Sequence, residues 1–281
     1  MSEAAKAVCE TCPRHCRLAE GAVGYCRARK AQGGRVVSAN YGMATSLALD
    51  PIEKKPLSFF HPGSCILSIG SFGCNLRCPF CQNDSISQRG EGDVPVERIT
   101  PAQLADVALR LKGERGNIGV AYTYNEPLVG WEFVRDAARE VRARGLLNVI
   151  VSNGCAEEAV IDELAPLIDA ANIDLKGPSQ KYYDWLGGDF DAVCRTIQTL
   201  HARGCHVEVT TLVVPGKNDR EEDMDAIATF IASVSPEIPL HVTRFFPRYQ
   251  MSAARPTPAG VVRHLAEVAG RRLKHVLAGN L

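Results

Sequence analysis

The 281-residue chain lacks any apolar run long enough to cross a bilayer, and its N-terminus, "MSEAAKAVCETCPRHC", lacks the apolar core of a signal peptide. These absences argue against a membrane-spanning protein and point to the cytoplasm. Net charge is missing too. The 32 Lys and Arg balance 32 Asp and Glu, so no bulk field draws the chain to nucleic acid or to an anionic membrane. No internal repeat, no low-complexity segment and no dinucleotide-type Gly-rich loop is found, which argues against solenoids, disordered tails and dinucleotide-binding folds.

What the chain does have is cysteine, eleven in all. At this length the chain suits one large α/β domain, or one domain with a small appendage, whose core is stable without disulfides. In a reducing compartment, clustered cysteines indicate metal or redox chemistry. Cys65, Cys155, Cys194 and Cys205 each stand alone in apolar or strand-like surroundings and read as small core residues. The others fall into two groups.

Three segments are expected. Residues 1–30 form a Cys-rich, metal-binding head, too short to fold alone. Residues 31–63 read as a linker or extension ending in the proline-broken "DPIEKKPLSFFHPGS". Residues 64–281 alternate strand and helix. "SCILSIG", "NIGVAYTY", "LNVIVSNG", "AANIDLKG", "CHVEVTTLVV" and "PLHVTRFF" are the strands, and helical patterns such as "TPAQLADVALRLKG" lie between them. Such alternation predicts a parallel sheet covered by helices, here a partial (β/α)6 barrel, with a doubly wound open sheet as the rival. Working residues of such folds lie at the C-terminal ends of strands. Polar groups collect there: the Cys74–Cys81 loop, then Thr123, Asn125 and Glu126, then Ser152 and Asn153, then Asp174 and Lys176, with Thr211 in the fifth strand.

In "GCNLRCPFCQN", Cys74, Cys78 and Cys81 are spaced so that one loop can wrap a metal centre. A structural zinc site wants a fourth ligand, and Cys65 lies inside a strand. An iron–sulfur cluster with three thiolates and one open iron fits better. With Phe80 just before the third cysteine, the motif resembles the signature of the radical SAM superfamily. The resemblance implies a [4Fe–4S] cluster that binds S-adenosylmethionine (SAM) and cleaves it to a 5′-deoxyadenosyl radical. "YTYNEP" stands where that superfamily carries a Gly-Gly-Glu-like element, which implies that Asn125 and Glu126 meet the SAM amino group. Glu126 also reads as a first-turn helix acid. "VSNG" and "NIDLKG" resemble paired SAM-binding elements of glycyl-radical-enzyme activases, which implies roles for Ser152, Asn153, Asp174 and Lys176. Val151 stands where those activases have an Asp. The resemblance also puts Phe80 and Thr211 against SAM. His241, Arg244, Arg248 and Tyr249 are candidates for binding an anionic substrate group, though His241 reads equally as a satisfied buried histidine.

The second group, Cys9, Cys12, Cys16 and Cys26, is a closed set of four. It fits zinc or a second iron–sulfur cluster, and the spacing leaves both open. This head, followed by "DPIEKKPL", "GCNLRCPFCQN", "YTYNEP" and "VVPGKND", resembles the AmmeMemoRadiSam-system radical SAM proteins, which are pyruvate formate-lyase activating enzyme homologues. The implied activity is radical SAM chemistry on an unidentified substrate, with a flavodoxin or ferredoxin as electron donor. A protein substrate or a Memo-type protein is the expected partner, with no nucleic acid and no membrane. One alternative is a glycyl-radical-enzyme activase acting on a partner protein. Another is an iron–sulfur electron carrier or zinc-binding interaction protein, which leaves Glu126, Asp174 and Lys176 unexplained.

Overall fold

A computed structural model describes residues 6–281. Eight strands form one sheet: β1 (Ser46–Pro51), β2 (Cys65–Gly70), β3 (Asn117–Tyr122), β4 (Leu147–Ser152), β5 (Ala170–Asp174), β6 (His206–Val213), β7 (Leu240–Arg244) and β8 (Val276–Gly279). They neighbour one another in chain order, all parallel except β1, which runs antiparallel to β2. Six strands, β2 to β7, are each followed by helix: α1 (Pro101–Arg115), α2 (Trp131–Ala143), α3 (Glu158–Leu164), the pair α4 (Gln180–Leu186) and α5 (Phe190–Ala202), α6 (Glu221–Val234) and α7 (Ala259–Ala269). Edge strands β1 and β8 do not pair with each other, so the barrel is partial, as expected. The doubly wound rival would reverse strand order at a switch point, and no reversal occurs.

Local chemistry accounts for the elements. Thr100 and Gln103 make a reciprocal capping box at the start of α1, Pro101 opens the helix, and Gly116 closes it in the left-handed region. Apolar residues at helical spacing, such as Ala137, Ala138 and Val141 of α2 or Ile227, Ala228 and Ile231 of α6, are buried. No helix among the described residues is long and apolar enough to cross a membrane.

The linker expected at 31–63 does more than connect. Arg29–Gln32 pairs with Arg35–Ser38 as a hairpin, and residues 46–51 join the main sheet as β1. β1 carries an exposed Leu47 and ends at Pro51. Only an edge position tolerates both, so its alternation is weak. The segment after β1 then turns under the barrel. Ile52 and Leu57 pack with Ile66, Ala121, Val149 and Ala170 inside it, and Asn172 donates to the Pro56 carbonyl at 2.8 Å.

Glu208 ties this floor down. Its side chain is fully buried, and it accepts bonds from the Ser58 and Phe59 amides at 3.0 and 2.8 Å. It also bonds His206 at 3.0 Å and His241 at 2.6 Å. His241 therefore sits at the second position of β7, at the N-terminal end of the barrel, and not at the mouth where a substrate role would need it. The reading of a satisfied buried histidine is the one that matches its place.

Burial by itself would raise the Glu208 pKa, but the bonds from His206, His241, Phe59 and Ser58 outweigh it and bring the pKa down to about 2. Against about 4.3 for an unfolded Glu, this stabilises the fold above roughly pH 4.3 and is lost as pH falls toward 2. Urea unfolding across that window should show a steeper acid loss for wild type than for Glu208→Gln. Equal slopes would rule the network out. At pH 7, Glu208→Ala strands two part-buried amides and the buried His241 and should cost about 2–3 kcal/mol.

Candidate active site

Cys74, Cys78 and Cys81 lie on the loop that follows β2, at the C-terminal end of the sheet. The loop is tied down mainly by asparagine side chains. Asn125, beyond β3, accepts from the Ser71 amide at 2.9 Å and donates to the Phe72 and Gly73 carbonyls at 3.1 Å each. Asn83 donates to the Tyr124 carbonyl at 2.7 Å. Asn153, beyond β4, donates to Asn75 Oδ1 at 2.9 Å and to Cys74 Sγ at 3.6 Å. From the head, the Cys26 carbonyl accepts from the Cys74 amide at 3.1 Å.

Beneath the thiols is a cavity of about 310 Å³, lined by all three cysteines, Phe80, Asn125, Glu126, Ser152, Asn153, Asp174 and Lys176. Glu126 is buried, and three donors hold its carboxylate: Ser152 Oγ at 2.7 Å, the Leu128 amide at 2.9 Å and the Asn153 amide at 2.8 Å. It caps the short 3-10 turn Pro127–Gly130 and lines the cavity as well. Burial is the larger effect and pushes its pKa up to about 7, despite those bonds. Lys176 pairs with Asp174 at 2.8 Å. Burial opposes the Lys176 charge, but Asp174 and Cys78 outweigh it and hold the pKa above its ordinary value.

Tyr124 takes a left-handed conformation, φ +71, at the place where a glycine would lead. The conformation is costly for a tyrosine. Its hydroxyl donates to Asp50 at 2.6 Å, and Asp50 pairs with the buried Lys55 at 2.8 Å. Gly70 gives the ring room, since a Cβ there would lie 2.8 Å from it. Sequence reasoning missed Asp50, Lys55, Asn75 and Asn83. Asp50 and Lys55 sit within "DPIEKKPL", and Asn75 and Asn83 within "GCNLRCPFCQN", but only the structure gives them partners.

Other expected residues lie elsewhere. The Asn125 amide is spent on the cysteine loop. Thr211 is turned away from the cavity and donates to the Leu175 carbonyl at 2.8 Å, while Thr210 lines the cavity. Strand alternation sends neighbours to opposite faces, so the choice was one residue out of register. Arg244 also points away, donating to the Thr257 carbonyl at 2.6 Å and lying 4.8 Å from the Phe246 ring. Arg248 and Tyr249 are exposed on a segment that touches the cysteine loop through the Gln250 amide and the Pro79 carbonyl, 3.0 Å apart.

The donor set decides what the loop can hold. Burial pushes the Cys78 thiol up to about 12 and raises Cys74 and Cys81 as well. Metal binding would replace those protons. No fourth cysteine or histidine lines the cavity among the described residues, so a closed zinc site of Cys and His lacks a ligand, whereas a cluster with one open iron needs only the three thiols. Cys9, Cys12, Cys16 and Cys26 line a single small cavity in the head. Among the described residues, no three His, Cys, Asp or Glu side chains are grouped as a single ion would gather them.

The family model described as the Radical SAM superfamily matches residues 68–231. The chain is 38% identical over 280 residues to an uncharacterized protein of Methanocaldococcus jannaschii, covering 98% of this chain and 82% of that one. It is 28% identical over 164 residues to the pyruvate formate-lyase 1-activating enzyme of Escherichia coli, covering 56% of this chain and 65% of that one. Among solved structures, Streptococcus suis SuiB bound to S-adenosylmethionine superposes with a TM-score of 0.58 over 76% of this chain and 52% of that one. At 14% identity this is a likeness of fold alone.

The Asn125 bonds to the cysteine loop can be tested without a cofactor. Asn125→Ala removes three bonds to the cysteine loop and should cost about 2–3 kcal/mol. Amides of residues 71–74 should then exchange with solvent faster. Unchanged exchange there would show that the loop is held by something else.

Proposed function

The chain belongs to the radical SAM superfamily, and on that premise we propose that Cys74, Cys78 and Cys81 hold a [4Fe–4S] cluster above a SAM site. The observation that carries the reading is the shared cavity, where three thiols, a buried carboxylate and an acid–ammonium pair face one space. When bound, such a cluster would supply the one electron that splits SAM into methionine and a 5′-deoxyadenosyl radical, the species that would take hydrogen from the substrate.

The chain's own residues bind and orient. Glu126 has three donors on its two oxygens, which leaves acceptor capacity for the SAM ammonium. Ser152 and Asn153 act through Glu126 by fixing that carboxylate. Lys176 meets the SAM carboxylate, and Asp174 offers its free oxygen to the ribose. Phe80 packs on Trp185, ring centroids 5.6 Å apart, and walls one side. Thr210 takes the place first given to Thr211. Arg248 and Tyr249 stand at the rim, where an anionic substrate group would pass.

The substrate is a small molecule or a protein residue, and the donor is of the flavodoxin or ferredoxin type. A second reading, a glycyl-radical-enzyme activase, is favoured by the named Escherichia coli relative. The matched stretch spans less than two thirds of that relative, so its activity enters here as a proposal. A Memo-type protein remains a proposed partner.

Anaerobic protein given SAM and a reductant should form 5′-deoxyadenosine, and Cys78→Ala should abolish it. Product from that variant would overturn the cluster assignment. Glu126→Gln should weaken SAM binding by about tenfold or more, since it removes a charge-assisted contact worth roughly 1.5–3 kcal/mol. A glycyl-radical EPR signal on an added glycyl-radical enzyme would select the activase reading. Product on another substrate without that signal would select the first.

A further inference from the structure

The head cysteines do not belong to a separate module. They lie directly against the loop cysteines. The Cys74 amide donates to the Cys26 carbonyl at 3.1 Å. Gly73, at φ +90, makes this approach possible, because a Cβ there would stand 2.6 Å from the Cys26 oxygen and 2.7 Å from Ala28. A second path runs through two amides. The Cys12 thiol faces Asn75, Asn75 accepts from Asn153 at 2.9 Å, and Asn153 donates to Cys74 Sγ at 3.6 Å. The contact is rigid. Arg14 and Arg77 stand 3.6 and 3.8 Å from the Tyr25 ring. Arg77 also donates to the Tyr25 carbonyl, and Arg14 to the Gly187 carbonyl at 2.6 Å.

The set also has two sides. Cys26 and Cys12 meet the loop, through the Cys74 amide and Asn75, and Cys9 is buried, whereas half-buried Cys16 lies beside exposed residues. Exposed Glu10, Arg14, His15 and Arg17 surround the set, with His15 paired to Glu157 at 3.2 Å. A centre with one side on the loop and another toward solvent is laid out to take electrons from a carrier and hand them inward. Zinc would staple the segment but carries no electron.

We propose that Cys9, Cys12, Cys16 and Cys26 hold a redox-active iron–sulfur cluster that relays electrons to the Cys74–Cys78–Cys81 centre through the Cys26 and Asn75 contacts. The inference rests on the reading that the loop holds a cluster. Each SAM cleavage consumes one electron. A low-potential one-electron carrier reduces the head centre by one electron. The head centre is then reoxidised as the loop centre is reduced, and no bond or proton changes hands in the transfer.

The test uses the full chain, reconstituted anaerobically. About eight irons per chain are expected, falling to about four both in Cys12→Ala/Cys16→Ala and in Cys78→Ala. EPR of the reduced wild type should show two signals that broaden each other, and either variant should leave one unbroadened signal. Asn75→Leu should keep the iron count but slow reduction of the loop centre by a flavodoxin-type donor about tenfold or more. With the iron count kept, reduction at the wild-type rate would overturn the relay. About one zinc with about four irons in wild type, or two clusters without mutual broadening, would overturn the inference. Neither result touches the proposed function, which fails instead if wild type forms no 5′-deoxyadenosine with dithionite.

Discussion

Three thiols have to be held still on a loop with almost no regular structure of its own. Four asparagines meet that constraint: Asn75, Asn83, Asn125 and Asn153. An amide side chain donates and accepts at once, so it can serve peptide groups of both kinds. Asn125 does so within one residue, taking the Ser71 amide and giving to the Phe72 and Gly73 carbonyls. A carboxylate or a lysine there would leave one kind unpaired in a partly buried place. The loop is therefore rigid because of its neighbours. Those neighbours are the ends of β3 and β4 together with the head.

The same logic runs down the barrel axis. Glu126 near the mouth and Glu208 near the floor are both buried carboxylates, yet they are driven in opposite directions. Glu126 is held by hydroxyl and amide groups, and burial wins, so its pKa rises to about 7. Glu208 has two imidazoles as well as two amides, and its partners win. The upper acid is left with reason to seek a cation, while the lower one is already satisfied. One of these acids suits ligand binding and the other suits holding peptide in place.

Much of this was legible in the sequence, and the parts that were not have physical reasons. The six β/α units follow from periodicity, and α1 from its Thr100 cap and Pro101. The convergence of Cys74, Cys78, Cys81, Glu126, Asp174 and Lys176 on one cavity follows from the strand-end rule. β1 and β8 escaped because short edge strands need only one neighbour and show little alternation. Thr211 was misplaced by one position because period-two facing cannot be set without a register. His241 went to the floor because strand membership alone does not say which end of a strand a residue occupies. Glu208, its partner, drew no attention in the sequence, since a lone acid in a strand advertises nothing until its four donors are seen. The joining of head and loop was invisible for a similar reason: residues far apart in the chain meet through a backbone bond that carries no sequence signal.

The floor has a further consequence. Residues 52–60 close the barrel with peptide, packed on Ile66, Ala121, Val149 and Ala170 and pinned by Glu208. The interior of this partial barrel is thus stoppered below. Anything short-lived produced near the thiols is shielded from quenching by bulk solvent from beneath, and its survival depends on how well the mouth is covered.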